Sequence, residues 1–259
     1  MLPDTNQSRT GRRALKRFLY SQMSIMDAFK ILLGKTQPRV PFTVKADPAS
    51  VYYNFKIRDD QLQAFIAYIN LPEGFTICPI RCLAGEEADY LLTLNVYEVT
   101  GIAVGIRAEW STYITDKKGV PCYMVVEAQS SEYSMDPIDI ITKKGRVEHA
   151  TAGGAVSTTV ASLDGHLFQA SYALAADAPV AAIHPEWVAA NDYIYWRIGI
   201  CDRTFYDSGL GNPKARLVPA TSASIDDQTH WAPFLEPTPK HVIQFEEAID
   251  FVIMPWTNI

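Results

Sequence analysis

Beyond residue 40, apolar and polar positions alternate in a series of short runs. "SVYYNFKIRD", "ADYLLTLNVYEV", "GIAVGIRAEWSTYI", "VPCYMVVEAQ", "STTVASL", "HLFQASYALA", "DYIYWRIGI" and "EEAIDFVIMPW" are rich in aromatic and β-branched residues and predict strands. Turn signals such as "DKKG", "LDG" and "SGLGNP" separate them. One segment has a different period. In "DDQLQAFIAYI", Leu62, Phe65, Ile66 and Ile69 recur at helical spacing, with Asp59 or Asp60 as the expected cap. Many strands and few helices predict an α+β domain on a mainly antiparallel sheet, curled or barrel-like so that its edges are protected. The Pro-rich "APFLEPTPKH" reads as a loop, so residues 41–259 are expected to form one domain.

Residues 1–40 break the pattern. Arg9, Arg12, Arg13, Lys16 and Arg17 precede Phe18, Leu19, Met23, Met26, Phe29, Leu32 and Leu33 at roughly helical spacing. This predicts an amphipathic helical segment lying on the body or on a neighbouring subunit. It lacks the apolar core and cleavage site of a secretory signal. Its apolar surface is more than a free tail should expose, so a homo-oligomer is expected by light scattering at micromolar concentration.

Composition narrows the function classes. The net charge of -6 disfavours broad nucleic-acid binding, and no apolar run reaches the length of a membrane span. Cys78, Cys82, Cys122 and Cys201 have no zinc-site spacing and read as reduced core thiols, which implies a reducing cytoplasm. His149, His166, His184, His230 and His241 are scattered, so no metal site is expected. "IDDQTHW" gathers Asp226, Asp227 and His230, which read as a surface loop. No G-x-S-x-G, P-loop or strand-linked G-x-G-x-x-G is present.

Lysine chemistry is left. A lysine amine attacks a ketone only when neutral, and its ordinary pKa is about 10.4. An apolar pocket and an adjacent cation both favour the neutral form; reaching neutrality takes about 4 kcal/mol. "IDIITKKGRVEH" (138–149) places Lys143 and Lys144 after a β-branched run, Ile138, Ile140 and Ile141, which could supply both conditions. Lys117–Lys118 in "TDKKGVP" reads as a hairpin tip.

The order of segments resembles the acetoacetate decarboxylase family from about residue 48 to the end. "YYNFKIRDDQLQAFIAYINLPEGF" is similar to its aromatic strand, short helix and turn. "VYEVTGIAVGI", "CYMVVEAQ", "VASLDG", "NDYIYWRIGI" and "AIDFVIMP" are similar to the segments that follow. Counting from either flank puts the family's lysine pair on Lys143 and Lys144. The resemblance implies that Lys143 forms the Schiff base, that Lys144 is its charge neighbour, and that no cofactor is needed. It also implies a homo-oligomer. The sequence departs from the family at Met135-Asp136-Pro137, at Thr142 before the pair, and at Ser50, near the place of a family arginine.

A Schiff-base lyase acting on a keto acid or polyketide-like small molecule is therefore expected, as decarboxylase, dehydratase, aldolase or cyclase. Glu98 is the expected proton-transfer group. Arg107 is a candidate clamp for a substrate carboxylate through its fork of donors. Tyr123, Tyr193 and Trp196 are candidate pocket walls. The alternatives are a non-covalent isomerase, cyclase or ligand carrier on the same fold, and an assembly protein driven by the N-terminal helices.

Overall fold

The computed structural model describes residues 42–46, 50–71, 73–100, 105–116, 119–131, 143–175, 177–196, 200–207, 214–247 and 249–253. Side chains at 42–46, 99–100, 143–144, 193–196, 200–207 and 249–253 are outside this description, as are the N-terminal segment 1–40, the Ile138–Ile141 run and Lys117–Lys118.

In chain order the elements begin with β1 (Phe42–Ala46), β2 (Val51–Lys56), α1 (Leu62–Ile69) and β3 (Thr76–Ile77). Long strands follow: β4 (Leu91–Thr100), β5 (Gly105–Thr115) and β6 (Pro121–Ser130). Then come β7 (Lys143–Ala152), β8 (Ala155–Ser162), β9 (Leu167–Ala173) and α2 (Pro185–Asn191). The rest comprises β10 (Tyr193–Trp196), β11 (Ile200–Asp207), β12 (Ala215–Val218), β13 (Ser224–Asp227), β14 (His241–Phe245) and β15 (Ile249–Ile253). The sheet is mainly antiparallel, as alternation predicts. β4 pairs with β5, β5 with β6, β6 with β10, β10 with β11, β11 with β15, β15 with β1, and β1 with the end of β4. This run of pairings is the curled sheet. Among the described residues, only β6 with β10 and β6 with β7 pair in parallel. Among the described residues, no helix is long and apolar enough to cross a membrane.

β2, β4, β5 and β6 are buried on both faces, and the two faces differ. One is apolar: Val51, Phe55, Leu94, Val96 and Trp110 meet Val147, Val160 and Phe168 from the β7–β8–β9 sheet laid over them. Tyr53 Oη lies 2.9 Å from Thr158 Oγ1 across that seam, and His149 Nδ1 lies 2.9 Å from the same hydroxyl along the β7–β8 pair, so these polar atoms are paired. The opposite face carries Tyr52, Tyr97, Tyr113 and Tyr123, packed against Trp187 of α2.

Alternation alone does not carry these faces to the end of β6. Trp110 pairs with Glu127 but Ser111 pairs with Val125, so Val126 has no opposite residue. This is a β-bulge, and beyond it the side-chain parity of the strand reverses. Tyr123 and Val125 before the bulge and Ala128 after it therefore share the tyrosine face. Glu127 lies on the other side, where its Oε2 accepts from Trp231 Nε1 at 3.0 Å.

The helix over 62–69 is present with Phe65 and Ile69 buried, but its cap is Gln61, which makes no side-chain capping bond. Asp60 instead accepts from Gln61 Nε2 and Arg58, because the chain enters the helix one residue later than the acidic pair suggests. α2 is not among the helices expected from sequence. His184 caps it, its Nδ1 accepting from Glu186 N at 3.2 Å, and Pro185 follows at the first helical position.

Candidate active site

Between β2, β4, β5 and β6, the tyrosine face is unusually polar for a buried surface. Asn54, Thr93, Asn95, Ser111, Glu109 and Ser130 are all buried. Strand pairing arranges them in rows: Asn54 beside Thr93 and Thr93 beside Ser111, then Tyr52 beside Asn95 and Asn95 beside Glu109. Thr93 Oγ1 donates to Asn54 Oδ1 at 2.8 Å. A third row runs from Tyr97 to Arg107 to Ser130.

Glu109 is the centre of this face. It is 7% exposed, and Tyr97 Oη donates to its Oε1 at 2.6 Å. Burial raises the pKa of Tyr52 and Tyr123 well above the ordinary phenol value, and the nearby Glu109 carboxylate adds to it. These hydroxyls therefore stay protonated around the carboxylate and can act as donors. Ser130 Oγ and Asn95 Oδ1 are buried without a partner among the described residues. Such atoms are costly unless a water or a polar ligand reaches them.

The lysine pair opens β7 and is part of a strand, not of a turn closing one. Lys143 pairs in parallel with Gln129, and Lys144 with Ser130. The third polar row thus continues across the sheet to position 144. Gly145 follows because nothing larger fits: a Cβ there would lie 2.4 Å from the Ala161 carbonyl oxygen and 2.5 Å from Gln129 Oε1.

The structure treats the other expected residues unevenly. Arg107 is buried in the row between Tyr97 and Ser130. Tyr123 is buried on the same face, its ring 5.6 Å from that of Tyr113. Trp196 and Tyr193 lie on β10, Trp196 paired with Val125; their side chains are outside the described set. Glu98 does not join them. It is exposed, paired with Ile106, because alternation turns Tyr97 inward and its neighbour outward. Glu109, eleven residues further on, is the acid buried on the tyrosine face. Its signal in the sequence is the odd-position series Arg107, Glu109, Ser111, Tyr113 along one strand face.

The remaining titratable clusters are structural. Asp227 Oδ1 accepts from Thr229 N and Oγ1, and burial raises its pKa. The cluster of Asp226, Asp227 and His230 is not a loop throughout: the two aspartates pair with β9 as the end of β13, and His230 Nε2, 3.1 Å from Glu127 Oε2, ties the turn that follows to β6. Among the described residues, no group of His, Cys, Asp and Glu could hold a metal ion. Cys78, Cys82 and Cys122 are free thiols, and burial raises the pKa of Cys78 and Cys82.

His241, opposite Asn54, lies 2.6 Å from Glu86 Oε2. Burial holds its imidazole below the ordinary histidine range, against the pull of Glu86. Folding thus favours the neutral ring. Its contribution to stability is present above about pH 6.5 and is lost as pH falls through the lowered value. His241→Gln is expected to flatten the acid limb of the urea midpoint measured at stepped pH.

No protein-family profile matches the chain, and no curated protein matches it. Solved structures do. An acetoacetate decarboxylase from Legionella pneumophila matches with a TM-score of 0.53 at 11% identity, over 85% of this chain and 87% of that one. An acetoacetate decarboxylase-like enzyme from Sphingomonas wittichii RW1 matches with a TM-score of 0.54 at 12% identity, over 86% and 93%. The chain has the acetoacetate decarboxylase fold. Within that fold the lysine pair, the Tyr97–Glu109 hydrogen bond and Arg107 converge on the β4–β5–β6–β7 region through strand register.

Proposed function

We propose that this protein is a Schiff-base lyase acting on a keto acid, with the imine formed by the pair Lys143–Lys144. The observation that carries the reading is the register of β6 with β7. It joins the lysine pair to a buried row containing Arg107, beside a carboxylate held by Tyr97. A neutral lysine amine attacks the ketone carbonyl, and loss of water leaves an imine. Once protonated, the imine accepts the electron pair of the breaking C–C bond. With a β-keto acid, carbon dioxide leaves and an enamine remains. Glu109, once it has taken up a proton from solvent, delivers it to the enamine carbon, and water then hydrolyses the imine and frees the lysine. Arg107 suits the substrate carboxylate, since its guanidinium is always charged and binds carboxylates through paired donors.

The test is release of carbon dioxide from acetoacetate, together with solvent-deuterium exchange at the methyl groups of acetone. The parent protein is expected to catalyse at least one of these. Lys143→Arg/Lys144→Arg is expected to catalyse neither, because a guanidinium is effectively never neutral. Equal activity in parent and double variant would remove the imine and leave a non-covalent enzyme or carrier.

A further inference from the structure

We infer that Lys144, the second lysine of the pair, forms the imine, and that Lys143 does not. This rests on the Schiff-base reading above and assigns its nucleophile. Two independent features of β7 set the parity. Residues paired in register across a sheet share a face, and Lys144 is paired with Ser130, whose row contains Arg107 and Tyr97. Lys143 is paired with Gln129, whose row contains Ala108 and Val96 of the apolar core.

Gly145 supplies the second feature. A Cβ at 145 would press on Gln129 Oε1, and Gln129 Nε2 donates to Glu127 on the Trp231 side of the sheet. Val147, two residues on, is buried in that same apolar core. Positions 145 and 147 therefore share the apolar side, and alternation gives 143 to that side and 144 to the polar one.

The chemistry agrees with this placement. An imine-forming amine needs a neighbouring permanent cation, to favour its neutral form, and an acid to move protons. The face of position 144 carries both, Arg107 and Glu109. Positions 107 and 144 are two strands apart, about 10 Å between backbones, which leaves room for a small keto acid between them. The buried Ser130 hydroxyl between them, without a partner among the described residues, can donate to a carbonyl or carbinolamine oxygen.

The experiment treats the full chain with acetoacetate, pyruvate or acetylacetone, reduces it with sodium borohydride, and locates the added mass by fragment-ion sequencing across 143–146. Reduction adds hydride to the imine carbon and leaves a stable secondary amine. The expected adduct is on Lys144, retained in Lys143→Arg and lost in Lys144→Arg. An adduct on Lys143 of the parent protein overturns this assignment and leaves the Schiff-base reading standing. No adduct on either lysine with any of the three probes overturns the Schiff-base reading and this assignment with it.

Discussion

Glu109→Gln is expected to slow turnover of a keto acid by about two to four orders of magnitude, the usual span for loss of a positioned proton donor. The substitution is nearly isosteric. Its amide oxygen can still accept from Tyr97 Oη, so the 2.6 Å hydrogen bond has a successor and the fold should persist. What disappears is the exchangeable proton. Imine formation precedes enamine protonation, so borohydride trapping should survive while deuterium incorporation at the product carbon fails. That split separates loss of proton transfer from loss of substrate binding. Glu109→Leu should be worse for stability, because Tyr97 Oη would be buried without its acceptor, at a cost of about 1–3 kcal/mol. Deuterium incorporation by Glu109→Gln at the parent rate would remove Glu109 from the mechanism.

The second large effect is expected at Gly145. Valine there must displace the Ala161 carbonyl, which sits only 2.4 Å from the new Cβ. That carbonyl cannot swing aside as a flexible side chain would. It belongs to a hairpin in which Arg146 pairs with Ala161 and Gly145 with Ser162. The cost of such overpacking is about 3 kcal/mol, the upper part of the usual range. A fall in the urea midpoint with an unchanged slope is the expected readout. Because Gly145 adjoins the pair, imine trapping should fail along with stability. A Gly145→Val protein as stable as the parent would mean that the β7–β8 hairpin tolerates a shift that this geometry forbids.

Much of the architecture was legible in the chain because strand period and turn residues are local properties. α1 was legible for the same reason, since its four apolar positions span two full turns. α2 was missed because seven residues give too short a run for periodicity to register; the His184-Pro185-Glu186 start was the available signal. The site was harder. Glu98 and Glu109 both sit on strands of alternating pattern, and the odd-position series around Glu109 groups its face without saying whether that face turns inward. That choice depends on which neighbours cover each face, and the covering elements lie far away in sequence. Arg107 was identified, but its burial follows from pairing with Tyr97 and Ser130, residues ten and twenty-three positions away.

The extra residue at Val126 has a consequence for how this fold can change. Two adjacent lysines on a strand are chemically alike, and only the side of the sheet each occupies distinguishes them. That side is passed to β7 by β6, whose parity is reversed at the bulge. Removing one residue from β6 would thus exchange the two lysines between the wet and greasy sides with neither being replaced. Insertions and deletions, usually regarded as loop events, would act here as a selector of the reactive amine. Descendants of one ancestral lysine pair could diverge in which member reacts, and a comparison of the lysines alone would show no difference.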